Sequence, residues 1–337
     1  MNELSARVLS GDVRGAARAM RVIDDRAPGA TEILKDIFPH TGKAWVLGVT
    51  GNPGCGKSTL CDRLIEQMRK RGQRVGVIAV DPTSPYTGGA ILGDRIRMNR
   101  HATDEGVFIR SVATRGHLGG LSRSARDLVR VLDAFGCDVV LVETVGVGQD
   151  EIEITRTAHT TLVVMAPGLG DDVQAIKAGL MECADVFVVN KADRDGADAT
   201  VRDLQLMIAL GSETMVAAGK QRAHVVHSDA ADPRASQVDG ATWTPPILKC
   251  VAVRGEGTTD LLETLDRHHE WVSHTDAGRA RRHVRLAEEL RETLREALID
   301  AATNDLGSAI DEAVQAVESK SLDPYTATER LVQRFRT

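Results

Sequence analysis

The stretch Trp45-Val46-Leu47-Gly48-Val49-Thr50-Gly51-Asn52-Pro53-Gly54-Cys55-Gly56-Lys57-Ser58-Thr59 governs how the rest of the chain is read. An apolar run leads straight into a segment that fits G-x-x-x-x-G-K-[ST], and an amphipathic stretch over 57–71 follows. The glycines allow a backbone wrap whose successive N–H groups point inward, a shape that holds a phosphate group. The helix predicted after the loop brings its positive dipole end to the same place. The expected phosphate contacts are Gly51, Pro53, Gly54, Cys55, Gly56, Lys57, Ser58 and Thr59. Lys57 would bridge the β- and γ-phosphates, and the Ser58 hydroxyl would ligate Mg²⁺.

Outward from this loop, short apolar runs alternate with amphipathic stretches. Residues 75–80, 139–142, 161–166, 186–189 and 247–251 are rich in apolar, β-branched side chains, and Lys249 is the one charge within them. Strands apolar on both faces suit a parallel sheet covered by helices on both sides. Helices are predicted over 57–71, 122–135, 171–183, 199–210 and 258–272. The expectation is an α/β fold, a P-loop NTPase with a mostly parallel, doubly wound sheet. Residues 1–42 read as an N-terminal extension of short helices and 43–274 as the nucleotide-binding domain. In the C-terminal helical region, 275–337, the apolar periodicity predicts one long helix around 284–301, a second around 310–317 and a third after Pro324. With few aromatics, that tail packs on the α/β domain or on a partner chain.

The base is read from Asn190-Lys191-Ala192-Asp193, at the end of the apolar run 186–189. An N-K-x-D loop at a strand end suits guanine. The Asp193 carboxylate accepts from both guanine N1–H and the exocyclic amine, the Lys191 stem covers the base face, and Asn190 ties the loop to the phosphate loop. GTP is therefore expected over ATP. A further base-contacting loop follows the last strand at Val251-Ala252-Val253, where G proteins commonly have Ser-Ala. Val251 takes the Ser position, and the Ala252 N–H is a candidate donor to guanine O6.

Acids at strand ends mark the metal. Val139-Val140-Leu141-Val142-Glu143-Thr144-Val145-Gly146 has the form of a Walker B strand with its switch glycine, Gly146, but carries Glu in place of Asp. Asp81 ends the run 75–80, and Asp94 closes Gly88-Gly89-Ala90-Ile91-Leu92-Gly93-Asp94. Ser58, Asp81, Asp94 and Glu143 are the candidate Mg²⁺ set, because acids at adjacent strand ends converge on the carboxyl edge of the sheet. Turn capping is the other reading of Asp81 and Asp94. Lys57, Asp81, Glu143 and Gln149 form the candidate catalytic group. Gln149 reads equally as a positioner of water or as a surface contact.

Composition narrows the classes. Forty-two Lys+Arg against 48 Asp+Glu give a formal charge of −6 over 337 residues, which argues against a general nucleic-acid surface. Five scattered cysteines without C-x-x-C spacing argue against a disulfide framework or a Cys-rich zinc site. No apolar run approaches the ~20 residues of a membrane span, and the first residues do not form a signal peptide, so a cytoplasmic location is expected. Arg115-Gly116-His117-Leu118-Gly119-Gly120 contains H-x-x-G, but Arg115 stands where a cobalt-binding D-x-H-x-x-G would have Asp, which disfavours His117 as a ligand. His268 and His269, without partners at metal spacing, are expected on a solvated helix face.

Taken together, 51–59, 80–85, 88–94, 143–149 and 190–193 resemble the MeaB/ArgK/MMAA family of G-protein chaperones for adenosylcobalamin-dependent acyl-CoA mutases, such as methylmalonyl-CoA mutase. The resemblance covers nearly the whole chain. Residues 167–177 look like the family's additional switch, which faces the mutase. Cys55, where Ala or Val is usual, and Val251 are its departures. The resemblance implies slow hydrolysis of GTP to GDP, gating of cofactor loading, protection of the mutase, and a homodimer held by the C-terminal helices. A metallochaperone-type GTPase is an alternative, but it calls for a His-rich tract or Cys-His pair near the loop, and the sequence has neither. A nucleotide-dependent protein kinase is a third reading.

Overall fold

The computed structural model describes residues 1–81, 99–101, 103–113, 120–144, 157–168, 184–217 and 243–336. Seven strands form one parallel sheet: β1 (Trp45–Thr50), β2 (Val75–Asp81), β3 (Val107–Ala113), β4 (Val139–Glu143), β5 (Thr160–Met165), β6 (Val186–Asn190) and β7 (Ile247–Cys250). Their order is β3-β2-β4-β1-β5-β6-β7. From β1 the sheet grows through β4 on one side and β5 on the other. The carboxyl end of β1 is thus the switch point at which open α/β sheets bind ligands.

The alternation of each strand supplies both faces. Trp45, Leu47 and Val49 of β1, with Val139 and Leu141 of β4, enter one buried cluster; Val46, Val140 and Val142 enter another. The first face is covered by α4 (Lys57–Lys70) and α7 (Thr258–His274), whose Leu60, Leu64, Met68, Leu261 and Leu265 are fully buried. The second is covered by α5 (Gly120–Ala134) and by α1 (Glu3–Leu9), α2 (Val13–Asp24) and α3 (Ala30–Ile37). The N-terminal helices are anchored where β1 begins: Asp133 of α5 accepts from Lys43 N at 3.2 Å and Ala44 N at 3.0 Å. A helix α6 (Ala197–Ala217) follows β6.

β3 was not predicted. Arg110 and Ser111 interrupt its apolar pattern, and the strand pairs only with β2, so as an edge strand it stays half-buried along most of its length. The predicted helix 171–183 lies outside the described residues. The two helices expected near 284–301 and 310–317 are a single element, α8 (Asp276–Glu318), of 43 residues. Only Gly307 interrupts the intervening stretch, and one glycine weakens a helix without ending it. After a five-residue link, 319–323, comes α9 (Pro324–Phe335), with Asp323 capping its first turn through Tyr325 N and Thr326 N.

The chain divides into two compact units, Met1–Arg281 and Arg282–Thr337. In the second, Leu306, Ala309 and Ala327 are buried, whereas Leu290, Leu294 and Leu298 are 71%, 56% and 51% exposed at i, i+4 and i+8 spacing. Among the described residues no helix is long and apolar enough to cross a membrane.

Candidate functional site

The loop between β1 and α4 adopts the conformation its glycines permit. Gly51 has φ +136° and sits so close to β5 that a Cβ would lie 2.0 Å from the Val164 carbonyl oxygen. Gly56, at φ +96°, precedes the helix, and a Cβ there would lie 2.4 Å from Asn190 Nδ2. Lys57 is buried, and its Nζ donates to the Gly51 carbonyl at 2.6 Å and the Asn52 carbonyl at 3.1 Å, spanning the loop. The Cys55 thiol is buried, and that burial raises its pKa despite the nearby Lys57 charge, which disfavours a reactive thiolate.

Ser58 Oγ donates to Glu143 Oε1 at 2.7 Å, and both residues are buried. Ser58 opens α4 and Glu143 ends β4, so the parallel pairing of β1 with β4 brings them together. A hydroxyl beside a carboxylate at a helix N-terminus is a hard-oxygen donor pair that fits Mg²⁺. Asp81 ends β2, next to β4 in the sheet and two positions beyond the Ala79–Glu143 register pair. The Asp81 side chain, Asp94, Gly146, Gln149 and His117 lie outside the described residues, as do 82–98 and 169–183.

Asn190 is the hub of the other half. Its Nδ2 donates to the Cys55 carbonyl at 2.9 Å, and its Oδ1 accepts from Ala252 N at 3.0 Å. The buried amide therefore joins three segments: the phosphate-type loop, the end of β6 and the turn after β7. Lys191, in the left-handed region at φ +57°, donates from Nζ to the Gly54 carbonyl at 2.6 Å. Unusual backbone of this kind in a non-glycine residue collects at functional sites. The Ala252 N–H, expected to face guanine O6, instead has the Asn190 side chain as its partner. Val251 and Ala252 are buried, and Val253 is 68% exposed.

Three side chains outside the recognised motifs also tie these loops together: Arg63 of α4, and Arg254 and Glu256 of the post-β7 turn. Gly255 and Gly257, closely spaced after the last apolar run, were the available hint of a tight turn.

At the opposite, amino-terminal edge of the sheet the two histidines depart from expectation. His268 is fully buried: its Nε2 lies 3.3 Å from Asp185 Oδ1 and its Nδ1 2.9 Å from Thr160 Oγ1. His269 stacks on Trp45 with ring centroids 4.9 Å apart, and burial lowers its pKa. α7 turns both toward the sheet because the helix buries a wide face against it. Asp185 also accepts from Thr161 N at 2.8 Å and from Arg281 Nη1 at 2.6 Å. Burial is the strongest single influence on this carboxyl and opposes its ionisation. The Arg281 and His268 charges and their hydrogen bonds together outweigh it and hold the pKa well below the usual carboxylate range.

The family model described as "Methylmalonyl Co-A mutase-associated GTPase MeaB" matches residues 16–306. GTPase ArgK of Escherichia coli is 35% identical over 337 residues, covering 98% of this chain and 95% of that protein. A Pyrococcus abyssi protein, provisionally named a GTPase, is 44% identical over 99% of this chain and 97% of its own length. The crystal structure of a LAO/AO transport system kinase superposes with a TM-score of 0.65 at 27% identity, covering 100% of this chain and 99% of that one.

Proposed function

Because the chain belongs to the MeaB family of methylmalonyl Co-A mutase-associated GTPases, we propose that it couples GTP hydrolysis to cofactor loading and protection of an adenosylcobalamin-dependent acyl-CoA mutase. Methylmalonyl-CoA mutase or a close relative is the client. The observation that carries this reading is Asn190, which joins the phosphate-type loop and the base-side loop in one hydrogen-bonded unit inside a chain matched to the family over 16–306.

In this reading the backbone of the β1–α4 loop and the Lys57 amine hold the phosphates at the N-terminus of α4. Ser58 and Glu143, with Asp81 and Asp94, would hold Mg²⁺, which would supply positive charge to offset that of the phosphates. Asp193 and Lys191 read guanine, supported by Asn190 and by the turn at Val251, Ala252 and Val253. Gln149 positions the attacking water. The γ-phosphate would hold the switches through Asp81, Asp94 and Gly146, and its loss would release them. Two copies associate through the exposed apolar stripe of α8, and the protein works in the cytoplasm.

The test uses purified methylmalonyl-CoA mutase, adenosylcobalamin and this chain with either GDP or a non-hydrolysable GTP analogue. The expected result is a difference of about tenfold in mutase affinity between the two nucleotide states, within the usual range of allosteric coupling, with cofactor transfer dependent on hydrolysis. Equal affinities together with unchanged cofactor loading would refute the reading.

A further inference from the structure

The turn after β7 is held tightly by its own backbone. Val251 N donates to the Glu256 carbonyl at 3.0 Å, Arg254 N to the Val251 carbonyl at 2.9 Å, and Gly255 N to the Ala252 carbonyl at 3.1 Å. From this turn Arg254 places one edge of its guanidinium on Glu256, with Nε 2.6 Å from Oε1 and Nη2 3.2 Å from Oε2. The other edge reaches across to the N-K-x-D loop, where Nη1 lies 3.0 Å from Asp193 Oδ2. A bidentate carboxylate clamp fixes the plane of a guanidinium, so Nη1 is aimed rather than free to swing. Arg63 fastens the same turn to the phosphate-binding helix: its Nε donates to the Ala252 carbonyl at 3.0 Å and its Nη2 to the Val253 carbonyl at 2.9 Å.

We propose that Arg254, braced by Glu256 and Arg63, is a positioning residue that sets the Asp193 carboxylate for guanine and so contributes to base specificity. The inference rests on reading Asp193 as the base reader. Arg254 orients that carboxylate and does not block it. An ionised carboxylate offers about four lone-pair sites; Arg254 uses one on Oδ2, and guanine N1–H and its 2-amino group need one on each oxygen. The brace runs from α4 through Arg63 to the turn and through Arg254 to Asp193. It therefore fixes where the base is read relative to where the phosphates are held. Arg254 and Asp193 are both partly exposed, so the contribution is modest in size.

The test is calorimetry on the full chain with Mg²⁺ and either GDP or inosine diphosphate, which lacks the 2-amino group. Wild type is expected to prefer GDP. Arg254→Ala should narrow the GDP-to-inosine ratio by about fivefold, the size of a ~1 kcal/mol interaction, with an unchanged thermal midpoint in the absence of nucleotide. Arg254→Lys should recover part of the ratio, and Arg63→Ala should narrow it in the same direction. In an Asp193→Ala background, Arg254→Ala should change neither affinity, the signature of two residues acting through one contact. An unchanged ratio in Arg254→Ala, or tighter GDP binding, overturns the proposal. A wild type unable to distinguish the two nucleotides would instead remove the premise that Asp193 reads the base.

Discussion

Gly56 combines a left-handed backbone with an absent side chain, and both are required. Alanine there would adopt φ +96° at a cost of about 1–3 kcal/mol, and its Cβ would lie 2.4 Å from Asn190 Nδ2. The amide would have to withdraw, breaking the link between Cys55 and Ala252. Gly56→Ala is therefore expected to lower the thermal midpoint and to weaken GDP binding together; a midpoint loss with unchanged affinity would count against the link. Lys57→Ala tests a different property. Removing one positioned cation should lower GTP turnover by roughly 10²–10³, the usual loss for a single transition-state donor, while circular dichroism stays that of the wild type.

At the scale of elements, β5, β6 and α7 are joined at the amino edge of the sheet by Asp185, His268 and Thr160. Trp45 Nε1 donates to Thr160 Oγ1 at 3.0 Å, and Trp243 Nε1 to the Asp185 carbonyl at 2.8 Å, so β1 and the segment before β7 join the same network. The Asp185 carboxyl has a lower pKa folded than unfolded. Its contribution is thus fully present above the unfolded value of about 3.9 and is lost as pH falls through the folded value. Asp185→Asn should cost roughly 2–3 kcal/mol at neutral pH, less than a fully buried pair because Arg281 is partly exposed. Urea titrations from pH 7 down to about pH 3 should also show a shallower acid loss in Asp185→Asn than in wild type, since the carboxylate that must be protonated is gone. Parallel acid limbs would refute that assignment.

For the molecule as a whole, the second unit carries a row of exposed leucines on α8 at positions 290, 294 and 298. An i, i+4, i+8 stripe of this kind is the seam along which helices associate. A chain that dimerises through it should sediment at twice its monomer mass. Leu290→Glu, Leu294→Glu and Leu298→Glu together should yield a monomer that still binds GDP. A wild type that sediments as a monomer at micromolar concentration would remove this interface from the reading.

The loop at 51–59, six of the seven strands and the N-K-x-D turn were legible in the sequence because each depends on short-range constraints. These are glycine φ freedom, strands apolar on both faces, and a carboxylate at a strand end. The family resemblance rests on the same local segments. β3 escaped because an edge strand tolerates charge, and the joined helix α8 escaped because periodicity does not mark where a helix continues. Tertiary structure alone decided which distant side chains meet. His268 looked solvated because its partner Asp185 lies 83 positions earlier in the chain. Arg63 and Arg254 carried no motif at all. A polar side chain's burial and bonding are set by neighbours that only the folded sheet brings together, and no local pattern encodes them.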